Sequence, residues 1–352
     1  MRISPRTVYA GLLCLSLAAS VALAQLEGLD HVSLSVQESH NERLRIVKQV
    51  NIDETSTWKA GINEYFRGRP QEFTRRLCGA RRGGELLPLK TAKELGDEPI
   101  PEEFDSRTKW PDCPTIKEIR DQSACGSCWA ISAAEVASDR LCAVLGIHKR
   151  ISTTDILACC SNCGFGCSGG YPSLAWKWLA KQGAVTGGDY GDYSLCKAYP
   201  FPMCDHHQPN PKVDCAQFNF RTPKCLSRCD SNSTYVVPYQ QERTVFKNSY
   251  SLRGEEAIQR EIMRYGPVEA TFEVFSDFEV YKSGVYQHKT GAHLGSHAVK
   301  IIGWGVDNGV KYWTIANSWN TGWGEGGFFR ILRGVNHLNI EGDVVAGMPV
   351  TN

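Results

Sequence analysis

The chain has 352 residues, of which 42% are hydrophobic and 22% charged, and its formal charge is +1. This length and composition predict about two compact units with a sizeable core and exclude an intrinsically disordered protein. Because basic and acidic residues balance, the chain has no overall field that would attract a nucleic acid or an anionic membrane.

The first 24 residues have the layout of a secretory signal. Arg2 and Arg6 precede an apolar run that ends in Ala22-Leu23-Ala24, and a run of this kind followed by small residues is typical of a cleaved signal peptide. A membrane anchor is the alternative, but the run is short and contains two serines. We predict a signal at 1–24 and no stable membrane association after its removal.

Residues 25–99 are predicted to be a removable pro-segment. Leu44, Val47 and Val50 have near-helical spacing, and the polar stretch up to Pro101 resembles a linker. The segment is too short and polar for an independent enzyme. A flexible extension without a role is the alternative.

Residues 100–352 fall into two parts with different sequence patterns. Residues 100–240 contain helix-like runs and most of the cysteines, so this part is predicted to be mainly helical. Residues 241–352 contain short β-type runs separated by glycines, which predict a mainly β part. The predicted strands are Val268–Val274, His297–Trp304, Tyr312–Ala316 and Phe328–Leu332.

The number of cysteines points to one free thiol. Thirteen of the 15 cysteines fall between Cys113 and Cys229. In an oxidising compartment, six disulfide bridges and one unpaired cysteine account for this odd number. An unpaired cysteine in a secreted protein is either a liability or a reagent.

Cys128 is the candidate nucleophile. The apolar run Cys128–Cys142 contains no proline or glycine and predicts a buried helix, and Gly126 and Ser127 supply a turn and a possible N-cap. The positive end of a helix dipole favours a thiolate, which is the reactive form of cysteine.

Three further residues complete a catalytic hypothesis. Gln122 can donate its amide to an oxyanion, His297 can act as the base, and Asn317 can fix the histidine tautomer. Each residue type alone is more often structural, as a disulfide half, a core histidine or a turn asparagine. Their combination in this order favours acyl transfer by a thiol.

The surrounding strings resemble the papain family of cysteine peptidases, and in particular its cathepsin B-like members. The resemblance is carried by Gln-Ser-Ala-Cys-Gly-Ser-Cys-Trp at 122–129, Ser-His-Ala-Val at 296–299 and Ala-Asn-Ser-Trp at 316–319. It implies an α+β, papain-like two-lobed fold, with a helical lobe, a β-barrel-like lobe and the active-site cleft between them.

The resemblance also implies roles for residues around the cleft. Trp319 would shield the histidine–asparagine pair. Gly169, Gly170 and Pro172 would bind the substrate backbone and form a wall of the pocket for the second residue before the cleaved bond. Glu341 would be the acid at the base of that pocket, which implies tolerance of arginine there.

An inserted loop at 196–215 resembles the occluding loop of the cathepsin B-like peptidases. His206 and His207 would bind the C-terminal carboxylate of a substrate, so that the enzyme removes dipeptides from C-termini. A metal site at these histidines is the alternative, and we expect neither a metal nor another cofactor. Gly322 stands where the family has an acid that holds the loop to a basic residue, here Lys212, so we expect a loop that opens readily.

The resemblance implies six disulfides that leave Cys128 free. They are Cys113–Cys142, Cys125–Cys167, Cys159–Cys225, Cys160–Cys163, Cys196–Cys229 and Cys204–Cys215. Asn232, in Asn-Ser-Thr, is a weak glycosylation signal.

The function that the sequence predicts is a cysteine peptidase zymogen that forms a thioester acyl-enzyme and has endopeptidase and peptidyl-dipeptidase activity. The expected partners are peptide and protein substrates, the chain's own propeptide as an inhibitor and, by family, cystatin-type inhibitors. The expected location is the secretory pathway, then a lysosome-like compartment or the extracellular space. A catalytically silent binding protein and a thiol acyltransferase are the alternatives.

Overall fold

The structure is a computed structural model that describes residues 34–203 and 220–350. Its α-helices are α1 (34–52), α2 (Gln71–Leu77), α3 (Ser106–Lys109), α4 (Cys128–Leu145), α5 (Thr153–Cys159), α6 (Pro172–Lys181), α7 (Tyr239–Glu242) and α8 (Glu255–Tyr265). Its strands are β1 (Trp58–Ala60), β2 (Phe104–Asp105), β3 (Phe246–Leu252), β4 (Val268–Phe275), β5 (Tyr281–Tyr286), β6 (His293–Asp307), β7 (Val310–Ala316), β8 (Phe328–Leu332) and β9 (Val344–Pro349).

The described strands form one sheet in the order β1-β5-β8-β7-β6-β4-β9-β3, with β2 paired to β6. The central strand β6 pairs antiparallel with β4, from Val268↔Ile301 to Phe275↔His293, and with β7 on its other side. Its residues from His297 to Gly305 are all buried, as expected of a central strand covered on both faces.

Helix α4 is the core of the helical part. Every residue from Cys128 to Cys142 is buried, and the many alanines allow α5, α6 and the sheet to approach closely. The helix ends at Gly146, which has φ +66° and donates its N–H to the Cys142 carbonyl at 2.8 Å. A left-handed residue of this kind is a common helix terminator, and glycine adopts it without strain.

The segment before residue 100 packs against the β part. Strand β1 adds to the edge of β5, with Trp58 opposite Gly284. The Trp58 side chain is buried, and its indole N–H donates to the Gln287 carbonyl at 2.9 Å. Asn63 is buried and donates to the carbonyls of Glu279 and Tyr281. The segment is therefore continuous with the core of the β part.

Most of the predicted elements are present, with different ends. The helix predicted at Cys128–Cys142 extends to Leu145, and each predicted strand is found. Strand β6 begins at His293, so His297 lies inside it. Ser127 occupies the N-cap position of α4 as predicted, but its side chain makes no capping hydrogen bond, and its hydroxyl instead lies 2.8 Å from the Tyr199 hydroxyl.

Five of the implied disulfides are formed in the described chain: Cys113–Cys142, Cys125–Cys167, Cys159–Cys225, Cys160–Cys163 and Cys196–Cys229. Cys204–Cys215 lies outside the described residues. Cys128 and Cys78 are the free cysteines of the described part. Within 34–203 and 220–350, no helix has the length and apolar character needed to cross a membrane.

Candidate active site

Cys128 is the first residue of α4 and is fully buried. The loop before it is fixed at two points, because Gln122 donates its backbone N–H to the Ser318 carbonyl at 2.9 Å and Gly126 donates to the Cys167 carbonyl at 2.9 Å. The Cys125–Cys167 disulfide adds a covalent link. The sulfur of Cys128 is thus held at the helix N-terminus by both parts of the molecule.

Burial of Cys128 favours the neutral thiol over the thiolate. Burial raises the pKa of Cys128 to about 12, although the backbone N–H groups of Ala298 and Gly79 approach the sulfur and oppose the shift. Gly79 belongs to the segment before residue 100, so that segment itself covers the nucleophile. Access of water and charge to the sulfur therefore requires the segment to move away.

His297 is held between an amide and an indole. Its Nε2 lies 2.8 Å from the Asn317 Oδ1, and its ring centre lies 5.0 Å from that of Trp319. Because an amide oxygen only accepts, Nε2 carries the proton and Nδ1 keeps the lone pair. Nδ1 has no hydrogen-bond partner among the described residues, and Cys128 contacts Ala298, the next residue along β6. The expected arrangement of base and orienting amide is thus present.

Burial also sets the charge state of the histidine. Burial lowers the pKa of His297 to about 4; the hydrogen bond to Asn317 and the proximity of the Leu77 backbone favour the protonated ring and only partly oppose this shift. The covered site therefore holds a neutral thiol and a neutral imidazole. A thiolate–imidazolium pair needs an open cleft.

Gln122 already binds a carbonyl oxygen. Its side-chain N–H donates to the Leu77 carbonyl at 2.9 Å and to the Cys125 carbonyl at 2.9 Å. Its own carbonyl accepts from the Ser318 hydroxyl at 2.7 Å, which fixes the amide orientation. The Leu77 carbonyl is therefore at the donor that would serve an oxyanion during acyl transfer.

The chain after Leu77 runs along Gly169 and Gly170, the strip that the resemblance assigns to the substrate backbone. Ala80 donates its N–H to the Ser296 carbonyl at 3.1 Å, and Arg81 donates to the Gly170 carbonyl at 2.8 Å. Gly170 in turn donates to the Gly79 carbonyl at 2.9 Å. No local sequence signal marks these contacts, because they join residues that are far apart along the chain.

The strip depends on close backbone approach. A Cβ on Gly79 would lie 2.0 Å from the Gly126 carbonyl, and a Cβ on Gly170 would lie 2.5 Å from the Trp129 ring. Gly169 has φ +103°, a value that side chains strain to adopt. Pro172 is buried as the first residue of α6, where its fixed φ suits the helix.

Glu341 has a different environment from the one that the resemblance implies. Its carboxylate accepts from the Trp313 indole at 2.9 Å and from the backbone N–H groups of Gly334 and Asn336. These bonds make it a buried structural acceptor, and the assignment to a pocket base is corrected accordingly. Two residues further on, burial raises the pKa of the Asp343 carboxyl, and the charges of Arg82, from the segment before residue 100, and of Arg253 oppose this shift.

The loop histidines, His206 and His207, lie outside the described residues, but the chain that leads to them is fixed to the site. Ser123 donates its hydroxyl to the Pro202 carbonyl. Tyr199 donates its hydroxyl to the Gln122 carbonyl at 3.0 Å. Neither contact carries a sequence signal, because both are set by the tertiary packing of the loop base.

The remaining predicted positions lie at the surface. Asn232 is exposed in a turn, and Gly322 is exposed shortly after Trp319. Asp121, by contrast, is buried and accepts from the backbone N–H of Ser123 at 2.7 Å and from the Asn320 amide.

Comparison with known proteins is consistent with this geometry. A model of the papain family cysteine proteases matches residues 100–348. A cathepsin B-like cysteine proteinase of Schistosoma japonicum is 42% identical over 326 residues, which are 89% of this chain and 94% of that protein. Cathepsin B-like cysteine proteinase 6 of Caenorhabditis elegans is 50% identical over 270 residues, 75% of this chain and 70% of that one.

Solved structures agree. Procathepsin B S9 from Trypanosoma congolense matches with a TM-score of 0.75 at 40% identity, covering 87% of this chain and 97% of its own. Digestive procathepsin L 3 of Tenebrio molitor larval midgut matches with a TM-score of 0.66 at 19% identity, covering 90% and 91%, and supports the fold alone.

These matches confirm the papain-like α+β fold and the prediction of a peptide-bond hydrolase with a catalytic cysteine. The family model spans most of the chain, and the curated relatives are identical at 42–50% of the aligned positions. The chain belongs to the papain family of cysteine proteases, in its cathepsin B-like group.

Proposed function

We propose that the chain is a zymogen in which residues 25–99 are an inhibitory propeptide and residues 100–352 the peptidase. The observation that carries this proposal is the Leu77 carbonyl, 2.9 Å from the Gln122 amide, with Gly79 against Cys128. The segment fills the oxyanion site and covers the nucleophile. It is oriented with Gly170 hydrogen-bonded on both sides, as a substrate backbone would be.

The catalytic steps follow from the four site residues. After release of the segment, Nδ1 of His297 takes the Cys128 proton, and the thiolate attacks a peptide carbonyl. Gln122 and the Cys128 backbone N–H donate to the oxyanion. The imidazolium then protonates the leaving amine, and a water activated by His297 hydrolyses the thioester. Asn317 keeps the imidazole in the required tautomer throughout.

Dipeptide removal is the finer part of the proposal. Its support is the base of the inserted loop. There the Pro202 carbonyl accepts from Ser123 and the Tyr199 hydroxyl donates to the backbone of Gln122, the residue that would serve the oxyanion. Covalent geometry alone keeps His206, four residues after Pro202, within about 14 Å of this loop base. Protonated or donor imidazoles at His206 and His207 would bind a terminal carboxylate.

The remaining assignments follow the sequence. Residues 1–24 would direct the chain to the secretory pathway, where disulfides form. The destination would be lysosome-like or extracellular, and cystatin-type inhibitors would bind the open cleft. The missing acid at Gly322 would let the loop open, so Gly322→Asp should raise dipeptide release relative to internal cleavage.

One experiment tests the proposal. The full chain is activated in acid and given peptides that differ only in a free or an amidated C-terminus. We expect Cys128→Ala to abolish cleavage of both and His206→Ala to abolish only the preference for the free carboxylate. Cleavage that survives in Cys128→Ala would refute the peptidase assignment, and an absent C-terminal preference in the unmodified chain would refute dipeptide removal.

A further inference from the structure

The propeptide has a second anchor, away from the cleft, in which a lysine enters an aromatic cage. The Lys90 ammonium lies 4.4 Å from the Tyr250 ring centre and 4.5 Å from that of Tyr265. It also lies 3.0 Å from the Glu261 carboxylate, which is fully buried. Two ring faces and a carboxylate around one cation form a site that is selective for an ammonium group.

The backbone on both sides of Lys90 extends the sheet. Ser251, on the edge strand β3, donates its N–H to the Pro88 carbonyl at 2.9 Å, and Lys90 donates its N–H to the Ser251 carbonyl at 2.9 Å. The segment thus pairs as a short parallel strand, as Leu89 and Ser251 do in the bridge assignment. Strand addition with one side chain in a pocket is a general mode of peptide recognition.

The cage is built into the peptidase and does not depend on Lys90. The other oxygen of Glu261 accepts from Arg140 at 2.8 Å, and the Tyr250 hydroxyl contacts both groups. Although burial opposes it, the charges of Arg140 and Lys90 lower the pKa of Glu261. When the propeptide leaves, Glu261 stays ionised on Arg140 and presents one oxygen without its lysine partner.

We propose that the cage of Tyr250, Tyr265 and Glu261, with the free edge of β3, is an exosite of the mature enzyme for a lysine in an extended segment of a protein substrate. This inference rests on the proposed release of the propeptide. Lys90 lies ten residues after Ala80, the residue that pairs with Gly170. Because Gly170 would bind the residues before the cleaved bond, and the propeptide continues from Gly170 towards Lys90, the selected lysine lies about ten residues before that bond.

The test compares two quenched peptides that differ by lysine or norleucine at that position. The enzyme obtained by activating the full chain should cleave both peptides with the same kcat, and its KM should be roughly tenfold lower for the lysine peptide. Tyr265→Leu should raise KM for the lysine peptide alone and make the two equal. Equal KM values in the unmodified enzyme would overturn the exosite.

The outcome also separates the exosite from the proposed function. If neither peptide is cleaved, the peptidase proposal fails, and fluorescence anisotropy of the same labelled peptides on the processed protein decides whether the cage selects lysine. In the intact chain, Lys90→Met should lower the melting temperature, whereas Lys93→Met, an exposed neighbour, should not. An equal effect of both variants would show that the cage contributes nothing.

Discussion

The buried ion pair between Arg43 and Glu279 should hold the propeptide closed, and it offers the sharpest test of the zymogen. Arg43, on α1, donates its Nε to Glu279 at 2.7 Å, and the side chains are 2% and 0% exposed. Thr74 also donates to this carboxylate. Arg43 and Thr74 both lie before residue 100, whereas Glu279 lies in the peptidase part.

Removing only the arginine leaves a buried charge without its partner. The cost of such a change is about 3–5 kcal/mol. Because the charge is hydrated again when the propeptide leaves, this cost acts on the closed state. At about 1.4 kcal/mol for each factor of ten, Arg43→Met should raise the open fraction by at least roughly a hundredfold.

The assay is the initial cleavage rate of a neutral peptide by the unprocessed chain at pH 7. Arg45→Met is the matched control, because Arg45 lies on the same helix, is half-exposed and has Glu42 and Gln49 as its side-chain partners in the described part of the chain. Adding Glu279→Gln to Arg43→Met should recover much of the closed state, since the uncompensated charge is removed. Equal rates for Arg43→Met and Arg45→Met would refute the reasoning.

Three further predictions concern the covered site. Gly79→Ala places a Cβ 2.0 Å from the Gly126 carbonyl, so unprocessed protein should cleave peptides at a rate near that of activated enzyme; an unchanged low rate would contradict the contact. With a thiol pKa of about 12, Cys128 should react slowly with iodoacetamide from pH 5 to 8 before activation and rapidly after it, as followed by mass spectrometry of its peptide; equal rates would contradict burial of the sulfur. The closed form keeps His297 neutral down to about pH 4, whereas the unfolded chain protonates this histidine below about pH 6.5. The stability of the closed form against unfolding should therefore fall by up to about 3 kcal/mol as the pH drops through this window. Melting curves of His297→Gln should show a flatter slope there, and an identical slope would exclude His297 as the cause.

The sequence predicts the proposed catalytic residues because their chemistry is local. Cys128 follows a glycine turn and begins an apolar run, and these two sequence features predict a helix N-terminus at this residue. Strands β7 and β8 were predicted to within two residues because short β-branched and aromatic runs between glycines indicate buried strands.

The parts that sequence did not reveal depend on contacts between distant residues. Nothing near Leu77 indicates that its carbonyl meets Gln122, 45 positions away. Glu341 was misplaced for a related reason, because a matching string does not say which way a carboxylate turns. Ser127 was predicted to cap α4, but the Tyr199 hydroxyl, far along the chain, engages its side chain.

The propeptide covers the sheet at both ends. Strand β1 lies on β5 at one end of the described order, and the backbone around Leu89 pairs with β3 at the other. Unpaired strand edges are the sites at which proteins aggregate. If the segment is released as proposed, its departure uncovers the edges of β5 and β3 at the same moment as the cleft. We therefore expect the mature enzyme to self-associate more readily than the unprocessed chain, so that one stretch of chain controls both inhibition and solubility.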